Sequence, residues 1–138
     1  MLEFNLFLID YWYFSVPLFF FIFLFAYSEM NKGGKKIEPN ELTRLVNKES
    51  AILIDLRKKE DYENGHIMTA LNYPHQEFDN QMHELEKFKD RPIILVCDMG
   101  RNSANIGEKL KKAEFEETFR LNGGMMTWTQ ENLPVVQK

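Results

Sequence analysis

From Leu2 to Tyr27 the chain is almost entirely apolar, interrupted only by Glu3, Asn5, Asp10, Ser15 and Pro17, and from Tyr11 to Tyr27 it carries no charge. Extended back to Leu6, this run makes about 30 Å of helix at ~1.5 Å per residue, the thickness of a bilayer's hydrocarbon core. A buried core helix of this kind needs a far larger domain around it than a 138-residue chain can supply. The run therefore reads as a single transmembrane helix at roughly 6–27, within an anchor at 1–28. Tyr11, Trp12 and Tyr13 at one end and Tyr27 at the other stand where interfacial aromatics belong, and Pro17 is expected to kink the helix. A secretory signal is the competing reading. Ala26-Tyr27-Ser28 offers a small-residue cleavage site, but the leading stretch holds Glu3 and Asp10 and no Lys or Arg.

Lys32, Lys35 and Lys36 follow the run and no basic residue precedes it, so the positive-inside rule places the C-terminal part in the cytoplasm, with the anchor in the inner membrane. Residues 29–38, with Gly33-Gly34 among lysines, read as a basic, flexible linker. The formal net charge is −4 and no basic cluster is large enough for a nucleic-acid footprint, which sets nucleic-acid binding aside. One cysteine excludes an internal disulfide and every cysteine-rich metal site.

Beyond the linker, helical and strand patterns alternate over 39–138. Pro39 suits a first helical turn, and Leu42, Leu45 and Val46 form a helical stripe. Ala51-Ile52-Leu53-Ile54, ending at Asp55, is a continuous apolar run of the kind buried on both faces of a parallel sheet. A turn-rich connection at 61–67 leads to the extended Leu71-Asn72-Tyr73-Pro74, and a polar helix is expected at 78–88. Ile93 to Val96 is a second buried strand. The helix after it turns Ile106 and Leu110 inward, with Ala104 and Gly107 as small contacts. Thr118 to Leu121, the Gly123-Gly124 turn and a helix around Trp128 close the chain. This alternation predicts an α/β domain with a mainly parallel central sheet flanked by helices, its site beyond the strand C-termini, near 55–57 and 97–101.

Cys97 opens the loop Cys97-Asp98-Met99-Gly100-Arg101-Asn102-Ser103, between a strand and a helix. A helix N-terminus and a nearby cation favour thiolate over thiol, so the place suits a reactive sulfur. Gly100 permits the tight turn, Arg101 offers the cation, and Asn102 or Ser103 can cap the helix. The plainer reading of a lone cysteine after a buried strand is a small core hydrophobe.

Asp55-Leu56-Arg57, Glu60-Asp61-Tyr62, Gly65-His66-Ile67, Ala70-Leu71-Asn72, Pro74, the loop 97–103, Phe115, Leu121, Gly123-Gly124 and Trp128 occur in an order that resembles the rhodanese-like sulfurtransferase domain. A span ahead of one such domain is similar to the membrane-anchored, single-domain bacterial type. The resemblance implies a rhodanese fold and a persulfide chemistry, in which Cys97 takes a sulfane sulfur from thiosulfate or a persulfide and passes it to a thiol. It further implies that Asp98, Met99, Gly100, Arg101, Asn102 and Ser103 cradle the donor, and that Asp55, Arg57 and His66 brace the site. Arg57 is expected in a buried ion pair and His66 in a hydrogen-bonded turn. No metal or organic cofactor is implied, and His75 and His83 are expected at the surface. Family loops commonly run Cys-x-x-Gly-x-Arg, whereas here the fifth position is Asn102 and the arginine comes one earlier. A phosphatase cradle takes arginine at the sixth position, occupied by Ser103, which argues against phosphatase chemistry. The expected function is a membrane-tethered sulfurtransferase whose partners are a small sulfur donor or a persulfide-carrying protein. The alternative is a non-catalytic module of the same fold that binds a partner protein at the membrane.

Overall fold

The computed structural model describes residues 1–30 and 32–137; Asn31, in the expected linker, and Lys138 lie outside the described residues. Residues 1–31 and 32–138 form separate compact units.

The N-terminal unit is two helices, α1 (Leu2–Asp10) and α2 (Trp12–Met30). The apolar run was expected as one helix kinked at Pro17, but Pro17 lies inside α2 and the break falls at Tyr11, whose φ and ψ are −113° and 36°. The amide of Tyr11 donates to Phe7 O and closes α1, while Tyr11 O accepts from Phe14 N and Ser15 N and opens α2. Pro17, the sixth residue of α2, has no N–H to donate to the carbonyl of Tyr13, yet the helix runs on to Met30. The part long and apolar enough to cross a membrane is therefore Trp12–Met30, 19 residues, rather than 6–27.

In the second unit, short apolar runs without polar alternation become central strands covered on both faces. The strands are β1 (Lys35–Ile37), β2 (Ile52–Asp55), β3 (Leu71–Asn72), β4 (Ile93–Val96) and β5 (Thr118–Leu121). All pair in parallel, in the order β1-β5-β4-β2-β3. Helices α3 (Pro39–Lys48) and α7 (Gly124–Gln130) pack on one face, where Leu42, Leu45, Leu53, Ile94, Val96, Met125 and Trp128 form a core. On the other face lie α5 (Phe78–Gln81) and α6 (Arg101–Lys112), over Ile54, Leu56, Phe78, Leu85, Ile93, Leu95, Ile106 and Leu110. A short helix α4 (Lys59–Asn64) joins β2 to β3. The α/β fold with a parallel sheet flanked by helices is thus the architecture of the domain.

Two local expectations need correction. The basic linker ends earlier than expected, because Lys35–Ile37 adds to the sheet beside β5 and both glycines before it are buried. Gly107 of α6 meets Gly33 so closely that a Cβ on Gly107 would stand 1.8 Å from Gly33 O. Glycine is required here for close approach rather than for freedom. The polar helix expected at 78–88 is instead one α-helical turn followed by a 3₁₀ helix, Met82–Phe88. The α-helical turn still buries Phe78 and the 3₁₀ helix Leu85, both in the core on this face of the sheet.

Candidate active site

Strand β4 ends under the site, and its alternation decides which residues reach it: Ile94 and Val96 face α3 and α7, while Ile93, Leu95 and Cys97 face α6. Cys97 is only 2% exposed. Gly100, in the left-handed region at φ 87°, turns the chain into α6 and aims its N–H at Cys97 Sγ, 2.9 Å away. The sulfur also lies 3.9 Å from Ser103 Oγ, and that hydroxyl donates to Gly100 O at 2.9 Å. Ser103 thus fastens the loop from inside the first turn; neither it nor Asn102 caps α6, whose N-cap is Gly100.

Helix α7 holds the same loop from the opposite side. Met125 N donates to Cys97 O at 2.8 Å and Met126 N to Asp98 O at 3.0 Å. The Gly123-Gly124 turn makes this possible, since a Cβ on Gly124 would lie 2.1 Å from Cys97 O.

Asp55 and Arg57 form the brace at the neighbouring strand end. Arg57 Nη2 sits 2.8 Å from Asp55 Oδ2, Nε donates to Oδ1 at 3.0 Å, and Nη2 donates to Gly65 O at 2.6 Å, with side chains only 9% and 1% exposed. The guanidinium is therefore committed to Asp55 and a backbone carbonyl. His66 is buried away from the sulfur: its Nδ1 lies 2.8 Å from Tyr62 O, its ring stacks on Tyr62, and its backbone bridges to Val136.

A cavity of about 180 Å³ opens over the thiol, lined by Leu56, Arg57, Lys58, Asp61, His75, Cys97, Asp98 and Asn102. Asp98 and Asn102 thus share the mouth with Cys97. Arg101 is exposed, does not line this cavity, and has no hydrogen bond or ion pair among the described residues. Met99, Gly100 and Ser103 line a second cavity, of about 160 Å³, behind the loop, together with Lys36, Arg120, Leu121, Asn122 and Gly123.

Two residues at the site were not expected there. His75, read as a surface residue, follows the end of β3 into the mouth, with Nδ1 3.3 Å from Leu56 O and 3.5 Å from Asn102 Nδ2. Arg120 is buried in β5 at 5% exposure. The signal for His75 was its place just past the C-terminal end of the extended stretch 71–74, the side of the sheet on which α/β sites gather. His83 is exposed as expected. Among the described residues no group of three or more His, Cys, Asp or Glu could hold a metal ion.

A model of the rhodanese-like domain matches residues 38–131. The chain belongs to the rhodanese-like domain family. Among relatives, YibN of Escherichia coli (strain K12) is 36% identical over 123 residues, covering 88% of this chain and 86% of that protein. The thiosulfate sulfurtransferase GlpE of Shewanella oneidensis is 28% identical over 98 residues, 71% of this chain and 95% of that one. Among solved structures, a rhodanese-like domain protein from Staphylococcus aureus superposes with a TM-score of 0.65 at 25% identity, covering 75% of this chain and 98% of its own. A rhodanese-related protein from Thermoplasma volcanium gives 0.68 at 24% identity, 75% and 99%. The rhodanese-like match takes in both Cys97 and the Asp55–Arg57 brace.

Proposed function

We propose that this chain is a membrane-tethered sulfurtransferase that carries sulfane sulfur on Cys97. The observation that carries the reading is the chain's single thiol, nearly buried at the C-terminal end of a parallel strand, with the Gly100 amide on its sulfur at 2.9 Å and a cavity open above it. Its likeness to GlpE relatives named thiosulfate sulfurtransferase supports the same chemistry.

With thiosulfate as donor, the Cys97 thiolate attacks the outer sulfur; the S–S bond to the sulfonate breaks, and its electron pair leaves on sulfite. The product is Cys97–S–S⁻. An acceptor thiolate then attacks the terminal sulfur, forms its own persulfide and returns Cys97 as thiolate, so charge and atoms balance in both halves. Loop amides meet the charge as it develops on sulfur. Trp12–Met30 serves as the single span, and Lys32, Lys35 and Lys36 behind it favour a cytoplasmic domain at the inner membrane.

The rival, a partner-binding module without activity, is favoured by the charges at the mouth: position 102 carries asparagine, and Asp61 and Asp98 face Lys58 alone among uncommitted cations. Intact-mass analysis of the full chain in detergent, after incubation with thiosulfate or with a glutathione persulfide, separates the two. A gain of one sulfur atom, lost on adding thiol and absent in Cys97→Ser, is expected; no gain with either donor overturns the enzyme reading. Protease added to spheroplasts should leave the domain whole, and its loss without lysis would overturn the topology.

A further inference from the structure

We infer that Arg120 is the cation that serves the Cys97 sulfur, a positioning residue that holds negative charge on it from behind the loop. The inference rests on the reading of Cys97 as the sulfur carrier.

Placement comes first. In the β4–β5 pairing Arg120 stands opposite Leu95, and in parallel register neighbours share a face. Leu95 and Cys97 both face α6, so Arg120 projects to that side, beneath the start of the helix. It lines the rear cavity together with Gly100 and Ser103, which are the two residues in contact with Cys97 Sγ.

Arg120 is also without an ion pair. Its Nε donates to Gly34 O at 3.2 Å, its one hydrogen bond among the described residues, and none of their carboxylates lies within ion-pair distance. A buried guanidinium left this way is costly unless an anion answers it. The groups that act on it electrostatically are Cys97 and Glu108 of α6, both favouring its charge, while burial, the larger influence, pushes its pKa down. Glu108 already accepts the Gly33 amide at 2.7 Å. Lys36, across the cavity, is exposed and of the same sign. That leaves the Cys97 thiolate as the natural counter-charge.

The other arginines near the loop do not compete for this role. Arg57 is committed to Asp55, and Arg101 points to solvent. Arg120 therefore supplies from the sheet the positive charge that the loop itself lacks at position 102. A cation behind the sulfur, rather than at the mouth, stabilises the thiolate without binding the donor.

Cys97 is the only cysteine, so alkylation reads it alone. The full chain in detergent is alkylated with iodoacetamide from about pH 5 to about pH 10, in the wild type and in Arg120→Gln and Arg120→Lys. Arg120→Gln should move the midpoint of the rate profile up, slowing alkylation at pH 7 roughly threefold to tenfold while the high-pH plateau stays within about twofold. Arg120→Lys, which keeps the charge, should stay within about twofold of the wild type at every pH. A packing defect alone would change the plateau and leave the midpoint fixed, so a fixed midpoint in folded Arg120→Gln overturns the inference. Should Arg120→Gln not fold, Glu108→Gln decides: removing the competing carboxylate should speed iodoacetamide alkylation, and no change overturns the inference. Because alkylation needs no sulfur donor, a response to Arg120 without any persulfide in the wild type would refute sulfur transfer and leave this assignment standing.

Discussion

Gly124 and Gly100 both lie in the left-handed region, at φ 59° and 87°, yet an added Cβ would clash at only one of them. A Cβ on Gly124 would fall 2.1 Å from Cys97 O and 2.8 Å from Asp98 O, all backbone with no flexible end to yield. A Cβ on Gly100 finds its nearest neighbour, Gly123 N, at 3.9 Å. Left-handed strain for a non-glycine residue is about 1 to 2 kcal/mol, and it applies to both. Gly124→Ala adds about 1 to 3 kcal/mol for forcing the backbone apart. It also weakens the Met125 and Met126 amide bonds to the loop carbonyls, each worth about 1 kcal/mol net. Gly124→Ala should therefore destabilise the domain by about 3 to 5 kcal/mol, and Gly100→Ala by about 1 to 2 kcal/mol. Urea unfolding of the full chain in detergent, followed by Trp128 fluorescence in a Trp12→Phe background, measures both. Equal losses for the two variants would refute the account, since they would leave strain as the only difference from glycine and the close approach of α7 to the loop as irrelevant.

Arg101→Ala should change thiosulfate transfer by less than about twofold, because the side chain is in solvent, where a charge contributes little; a tenfold loss would place it in the donor's path. Arg57→Ala should destabilise the domain by about 3 to 5 kcal/mol by stranding the buried Asp55 carboxylate, and chemical denaturation should show less damage in the double change with Asp55→Asn. Burial first, and the Asp55 charge second, push the Tyr62 phenol above its ordinary pKa while it donates to Ala70 O at 2.6 Å. The folded state thus favours the neutral phenol: its contribution is fully present below about pH 10 and is lost as pH rises through the folded value. Tyr62→Phe should flatten the alkaline arm of the stability profile, and an unaltered arm would assign it elsewhere.

The strands Ile93–Val96 and Thr118–Leu121 stand at their expected bounds, and Ile52–Asp55 within one residue. The apolar runs of the two central strands, Ile52–Asp55 and Ile93–Val96, are legible because burial on both faces leaves no polar alternation to misread. Lys35–Ile37 was illegible for the opposite reason: a strand with one apolar residue declares itself only through backbone pairing with β5. That single omission hid Arg120. Were β5 the sheet edge, an arginine between Phe119 and Leu121 would reach water and need no comment, but with β1 outside it the side chain is enclosed. The loop's position and its glycine turn could be read from residue types alone, while the bracing role of Asp55 and Arg57 came only through the family resemblance. The outward turn of Arg101 could not, because one step along a helix rotates a side chain by about 100°.

The order β1-β5-β4-β2-β3 puts the two shortest strands at the two margins of the sheet. One margin is three residues long and bears exposed Lys35 and Lys36; the other is two residues long and is followed within two positions by Pro74. Short, charged or proline-stopped borders offer no template for a foreign strand, so the domain is guarded against edge-to-edge aggregation. The lysines that puzzled the reading of β1 are, in this light, gatekeepers: they cost the strand its hydrophobic signature and keep the sheet finite.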